Sequence, residues 1–408
     1  MNIHSYRQLG GVHCESAALR NVLAQAEARA PHSGAPWSEA MLFGLGGGLG
    51  FGYGVSQEQK TALPALSFRA PAGGGDFLKK VCRNIAVRAD FETTGGPVAA
   101  TTQVKKQLGA GKPVIAWGSL AMLSWYGPPA SFSRDALHAL VVYGWDDRFD
   151  LVCVDDHSTM PRHMTVEEFA TFRGAIPALK HLTLTVSTTR KTADLKTAIL
   201  TAVAECCRDM LQTRNSQTGV QALNAWADAL TNAKDTQGWP RLFKPGPALY
   251  RALCRVSDCI ESTGAGGGAY RTLYAEFLEE AAPLSGKAAQ AVMLDAAAQF
   301  RRTAKLWSGL AQTALPENAG LLGEARDLIV ARRQLQAGSG ASADSQLQKI
   351  NKRLGALESE IAGRVAPGPK ETRQLLAAMQ TQVRKIHDAE SRAVRTLTRV
   401  GEQQRREA

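Results

Sequence analysis

Segments that read as β-strand stop near residue 190 of this 408-residue chain, and that change of pattern sets what it can fold into. Before it, residues 113–118 (PVIAWG), 138–145 (HALVVYGW), 150–155 (DLVCVD) and 182–187 (LTLTVS) are short and rich in Val, Leu and Thr. Gly, Pro and Asp bound them, as strands require. The pair 138–145 and 150–155 is joined by Asp146-Asp147-Arg148-Phe149, which predicts a hairpin. Residues 14–28 predict a helix with Ala17, Ala18, Val22 and Leu23 on its apolar face. Thr165 and Glu168 have the spacing of a capping box that opens another.

After residue 190 only helical periodicity remains. Leu195, Ile199, Ala202, Val203, Cys206 and Met210 share one face, and further helices are expected over 219–233, 246–262, 269–283, 287–314 and 319–337. Gly264–Gly268 breaks two of them, and 338–344 (GSGASAD) has the composition of a flexible linker. Beyond it Leu347, Ile350, Leu354, Leu357 and Ile361 step by 3, 4, 3, 4. Leu376, Met379, Val383, Ile386, Ala393, Leu397 and Val400 nearly repeat that seam, with Glu390 at one seam position. The expected architecture is α+β: a mixed domain over 1–190, an all-α domain over 191–337, and an antiparallel coiled-coil hairpin over 345–408. Such a hairpin can pack on itself, on the body or on another chain, so a homo-oligomer through the C-terminal helices is one reading.

Composition narrows the class. Hydrophobic residues are 44% and charged residues 21%, which is globular and excludes wholesale disorder. No apolar run is long enough for a membrane span, and the N-terminus lacks a signal-peptide core. Seven cysteines form no CxxC pair, which points to reduced thiols in a cytoplasm. The net charge is +11, of which residues 191–408 carry +8, and this suits an acidic partner. No zinc-finger, RNP or Lys/Arg block points to nucleic acid, and a basic pI from solvated helix faces is the plain alternative.

The chemistry-bearing residue is Cys14, which follows the turn Gly10-Gly11-Val12-His13 at the start of a helix. Unpaired amides and the helix dipole there favour a thiolate. Gln8, six positions earlier, has a side-chain amide that an extended turn could aim beside the Cys14 N–H, making an oxyanion hole. His138 begins one strand, and Asp156 follows the strand hairpin-paired with it, where a carboxylate would orient the imidazole. Taken singly, Gln8 is a surface side chain, His138 a satisfied core histidine and Asp156 a turn former; together at element boundaries they outline a site. Asp155 is the alternative acid and His13 the second-ranked base. The glycine-rich stretch 44–54 fits neither G-x-G-x-x-G nor a P-loop. Glu39 is a carboxylate able to hold a cationic amine or simply a solvated loop acid, and Tyr53, Trp125, Trp37 and Tyr126 are candidate cleft aromatics or core edges. No His/Cys grouping has metal-ligand spacing, and no cofactor is expected.

The blocks HCESAALRN, EAMLFGLGGGLGFGYG, HALVVYGWDD and VCVDDHS resemble the N-terminal domain of the butirosin biosynthesis protein H family. GAGGGAYRTLYAEFLEEAAPL resembles its accompanying helical domain, so the likeness spans roughly residues 5–315. That family is related to the papain-like and C39 cysteine peptidases, whose pattern maps onto Gln8, Cys14, His138 and Asp156. A papain/C39 peptidase-like N-terminal fold is therefore implied. So is acyl transfer from the phosphopantetheine thioester of an acidic acyl carrier protein to a small-molecule or peptidyl amine. The relatives' acid precedes Pro, whereas Asp156 precedes His157. The resemblance makes Gly46, Gly47 and Gly48 a wall of the substrate cleft. Cysteine hydrolysis by the same residues, and a non-catalytic helical scaffold, are the alternatives.

Overall fold

A computed structural model describes residues 1–58, 61–69, 74–126, 136–189, 191–212, 215–261, 267–337, 341–364 and 367–407. The N-terminal part runs α1 (Cys14–Gln25), α2 (Glu39–Leu45), β1 (Leu49–Glu58), β2 (Thr61–Arg69), α3 (Asp76–Asn84), β3 (Arg88–Glu92) and α4 (Pro97–Gly109). It continues with β4 (Val114–Ser119), β5 (Leu137–Asp146), β6 (Leu151–Asp155), β7 (Arg162–Met164), α5 (Val166–Gly174) and β8 (Thr183–Ser187). Helices follow: α6 (Leu195–Leu211), α7 (Gly219–Thr231), α8 (Trp239–Leu242), α9 (Pro247–Glu261), α10 (Arg271–Ala281), α11 (Lys287–Ala314), α12 (Leu321–Ala337), α13 (Ala341–Arg364) and α14 (Pro369–Glu407). The architecture is α+β, with a sheet-containing N-terminal region and a helical C-terminal one.

Six strands form an antiparallel sheet in the order β3-β8-β4-β5-β6-β7, while β1 and β2 make a separate hairpin. Strand alternation divides the sheet's two cores. Ala139 and Val141 of β5 face the large core shared with α1 and the helical region, and Leu140 and Val142 face a smaller one with Val104, Phe169 and Phe172. The β5–β6 register pairs Val141 with Asp155, so Asp156 leaves the strand end two positions from His138's row. Thr165 and Glu168 form the capping box expected of α5.

The glycine-rich stretch is not the cleft wall expected of it. It ends α2 and opens β1, and its missing side chains admit aromatic rings of other elements. A Cβ on Gly44 would lie 2.0 Å from the Phe277 ring, and one on Gly48, where φ is +59°, would lie 2.4 Å from Tyr274. The run is thus the seam on which α10 seats. Gly46 and Gly47 instead face α3, at Phe77 and Lys80. Tyr53 likewise turns into the helical region, stacked on Trp226 and accepting a hydrogen bond from Trp239 Nε1 at 3.0 Å.

The C-terminal seam is also spent differently from the expected self-paired hairpin. α14 packs chiefly along α11, α7 and α6, and α13 on α12 and α9. Residues 338–340 of the expected linker lie outside the described residues, and Ala341 onward is helix. The cause sits at the odd seam position. Glu390 is fully buried and accepts from Arg271 Nε at 2.6 Å and Trp307 Nε1 at 2.9 Å. Arg271 in turn donates to the carbonyls of Ala269 and Gly50, and its guanidinium lies over the Trp307 ring. A coiled-coil partner helix offers no such cation, so the charge directs α14 to the body. A second buried pair, Arg332–Asp258 at 3.0 Å, ties α12 to α9.

Glu390→Ala leaves a buried guanidinium unpaired and should lower the unfolding free energy by about 3–5 kcal/mol in a urea titration. Glu279→Ala, which breaks the exposed Arg301 pair, should cost less than about 1 kcal/mol. Equal costs would refute the keystone role of Glu390.

Candidate functional site

The site is built from the ends of three elements. His13 is the N-cap of α1, its Nδ1 accepting from Ser16 N at 3.2 Å and its carbonyl from Ala17 N. Glu39, at the start of α2, accepts from Val12 N at 3.0 Å and from His13 N at 2.7 Å. Its carboxylate also faces Gly11, where a Cβ would come within 2.9 Å of Oε2. The turn before Cys14 is therefore clamped by a buried acid. The amine-binding alternative raised for Glu39 is overturned, because the carboxylate is consumed by backbone amides, and burial raises its pKa. Those contacts leave the Cys14 N–H at the helix start with no recorded acceptor among the described residues.

Half-buried Cys14 lies beside His138, close enough for its thiolate charge to favour the protonated ring. The opposite ring nitrogen of His138, Nε2, lies 2.5 Å from Asp156 Oδ1, so Nδ1 is the nitrogen left for the sulfur. Asp156 Oδ2 accepts from Trp125 Nε1 at 2.6 Å, and its Oδ1 also meets His157 Nδ1 at 3.1 Å. Asp155 points to the other side of the strand, where it accepts from Tyr6 Oη at 2.7 Å and Asn21 Nδ2 at 2.5 Å. Of the two acids, geometry puts Asp156 on the imidazole.

Electrostatics follow the same contacts. Burial alone would strip His138 of its proton, but the Asp156 carboxylate and the Cys14 thiolate oppose it and carry its pKa up to about 10. Burial opposes ionisation of Asp156 too, yet His138 and its neighbours hold it well below the usual carboxylate range. His157 is driven down to about 4 by burial despite Asp156, so it is neutral and serves Asp156 as a donor. Burial pushes Asp155 up to about 6. His13 lies well below the ordinary histidine value through burial and Arg69, in keeping with a neutral cap and against its second-ranked role as base.

Three predicted residues therefore converge, and others do not. Gln8, read as an oxyanion donor, is spent elsewhere. In the amide orientation that satisfies both ends, Oε1 accepts from Tyr143 Oη at 3.2 Å and Nε2 donates to the carbonyls of Met160 at 2.8 Å and Ser158 at 3.1 Å. It pins the loop after Asp156 to the irregular segment that precedes the Cys14 turn. Trp125 supports Asp156 through its indole N–H, a role closer to the chemistry than the cleft lining expected of it. Trp37 is simply core, and Tyr126 stacks edge-on against His138 at 5.4 Å. The nitrogen and oxygen atoms of His138, Asp156 and His157 lie within 4.8 Å of one another, the spacing of a metal group, but the hydrogen bonds just described already engage them.

One residue was missed by the sequence reading. Tyr270 follows the break before α10 with φ +64°, and Ala269 before it has φ +55°. Such backbone is uncommon for residues with side chains. It delivers the Tyr270 ring edge-on to His13 at 5.3 Å and close enough to Cys14 that the thiolate's charge raises the already burial-shifted phenol. The helical region thus contributes a side chain beside the sulfur. The only hint in the sequence was the preceding glycine run.

Residues 13–157 match the family model for butirosin biosynthesis protein H, N-terminal, and residues 169–339 match a domain of unknown function, DUF4872. The chain thus carries a butirosin biosynthesis protein H-like N-terminal domain followed by a DUF4872 domain. No curated protein matches it. The butirosin biosynthesis protein H match covers Cys14, His138, Asp156, Trp125, Glu39 and His157, while the DUF4872 match holds Tyr270 and Arg271. Gln8 lies outside both.

The two site histidines should titrate apart. Side-chain nitrogen NMR should show His138 protonated through neutral pH and losing its proton near 10, with His157 neutral down to about 4. His138's folded pKa is raised, so its stabilisation is full below its unfolded value of about 6.5 and is lost as pH rises through about 10. Cys14→Ala should lower the His138 midpoint. Both rings titrating near 6.5 would contradict this electrostatic account.

Proposed function

We propose that this chain is a cysteine-dependent acyltransferase of specialised metabolism, with a papain-like catalytic arrangement. It would move an acyl group from an acyl carrier protein thioester to an amine. The observation that carries the proposal is the single line Cys14–His138–Asp156, with each ring nitrogen of His138 assigned to one partner. The family name, butirosin biosynthesis protein H, supports a biosynthetic role over a degradative one.

In this mechanism Cys14 Sγ attacks the thioester carbonyl carbon. Charge develops on the carbonyl oxygen, and the unpartnered Cys14 N–H at the positive end of α1 is positioned to receive it. The carbon–sulfur bond to the carrier breaks, and the carrier thiol leaves with the proton held on His138 Nδ1. This gives acyl-Cys14 and a neutral imidazole. The amine then attacks the acyl carbon, His138 Nδ1 takes its proton, and the Cys14–carbon bond breaks to release the amide. Asp156, fixed by Trp125 and His157, keeps His138 in the orientation that presents Nδ1 to sulfur. Gln8 acts on this scheme as a loop tie. Tyr270 and the helical region narrow the access of water to the sulfur, which favours amine over hydrolysis.

The test is to incubate the purified full chain with an acylated carrier protein, with and without amines, and to follow intact mass and products. Wild type should show an acyl adduct on Cys14 and amide that depends on added amine. Cys14→Ala should abolish both, and Asp156→Asn should slow turnover about 10²–10⁴-fold with the fold intact. Free acid as the sole product, whatever the amine, would identify a hydrolase. An absent adduct together with iodoacetamide labelling of Cys14 no faster than Cys82 would leave a non-catalytic scaffold.

A further inference from the structure

α11 and α14 enclose a groove of about 740 Å³ that the Cys14 chemistry does not use. Four exposed arginines line it: Arg302 from α11, and Arg392, Arg395 and Arg399 from α14. None of the four makes an ion pair among the described residues. Their helix neighbours do, Arg301 with Glu279 and Arg384 with Asp228. Three acids near them whose side chains are described are committed: Glu390 is buried against Arg271, Asp388 faces His387, and Asp295 accepts from Gln299 at one end of the groove. Four unpaired guanidiniums around one concavity repel one another, a cost that an anion seated between them would offset.

The spacing says what kind of anion fits. Arg392, Arg395 and Arg399 recur at i, i+3 and i+7, so they share one face of α14 and extend over about 10 Å. Carboxylates on successive turns of a helix recur at a similar interval, about 5–6 Å. Between the arginines Leu306 and Ala389 add aliphatic surface beside Gln299, Thr303 and Thr396, and among the described residues no aromatic side chain lines the groove. Nucleic-acid channels combine cations with aromatic platforms for bases, which this surface lacks. We infer that the α11–α14 groove is a docking surface for an acidic amphipathic helix of a partner protein, its carboxylates on the arginines and its apolar edge on Leu306. The docking energy is long-range and salt-sensitive. The surface is independent of Cys14 and stands whether or not that sulfur reacts.

Fluorescence anisotropy of the full chain with a labelled helical peptide, Glu at i, i+4 and i+7 beside a Leu edge, tests this. Binding should be detectable at low salt, weaken at least ten-fold in R392E/R399E and again in R302E/R395E, and fall steeply with added salt. R148E/R208E, an equal charge change at two exposed arginines outside the groove lining, should bind like wild type, as should C14A, whose behaviour separates this surface from the acyl-transfer reading. Thermal melts check that the variants remain folded. Equal affinity of groove and R148E/R208E variants would overturn the site, and so would a charge-matched oligonucleotide that binds tighter than the peptide through the same arginines.

Discussion

Two fully buried, opposite charges organise the way the sheet and the helices meet. Arg271 and Glu390 are 119 positions apart, and neither could be buried without the other, since an isolated ion in a dry interior costs several kcal/mol. Once paired, they draw five elements together. The guanidinium reaches the carbonyl of Gly50 at the start of the β1–β2 hairpin and that of Ala269 in the turn before α10. The carboxylate takes the indole of Trp307 on α11 and fixes α14. The same turn carries Tyr270 to His13. The position of one side chain beside the Cys14 sulfur is thus tied to an ion pair deep in the helical region, which couples the two matched regions structurally.

Much of this was legible before any coordinates, because periodicity is a local property. The helices over 287–314 and 319–337 and the strands over 113–118 and 182–187 were readable from spacing alone, since each buries one face against a single core. The β1–β2 hairpin was not. Leu49–Gly54 places Gly at every second position, and a strand interleaved with glycines carries little strand signal. β3 and β7 were missed for a simpler reason: both are short and largely polar.

Polar side chains divide along the same line. The junctions of Cys14, His138 and Asp156 were visible because each sits where an apolar element begins or ends. What Gln8 and Glu39 do was hidden, because a polar group's role depends on which distant partner claims it. Glu39 looked like an available acid and is instead the acceptor that the Gly11–His13 turn requires. Glu390 was recognisable as an anomaly in a seam, but nothing near it in sequence announced Arg271.

The site also shows what a histidine directly after the acid contributes. His157 has φ +43°, a left-handed conformation that proline cannot adopt, and there its neutral ring donates to Asp156 while its far nitrogen lies 3.5 Å from Tyr126 Oη. Proline would rigidify the turn but offer Asp156 no donor. Here the carboxylate is held instead by three donors, the imidazoles of His138 and His157 and the indole of Trp125, and its depressed pKa follows from that company. Fixing an acid by hydrogen bonds leaves its orientation dependent on the protonation of a neighbour, whereas fixing it by backbone does not. The burial that keeps His157 neutral down to about pH 4 removes that dependence over the range in which the site would work.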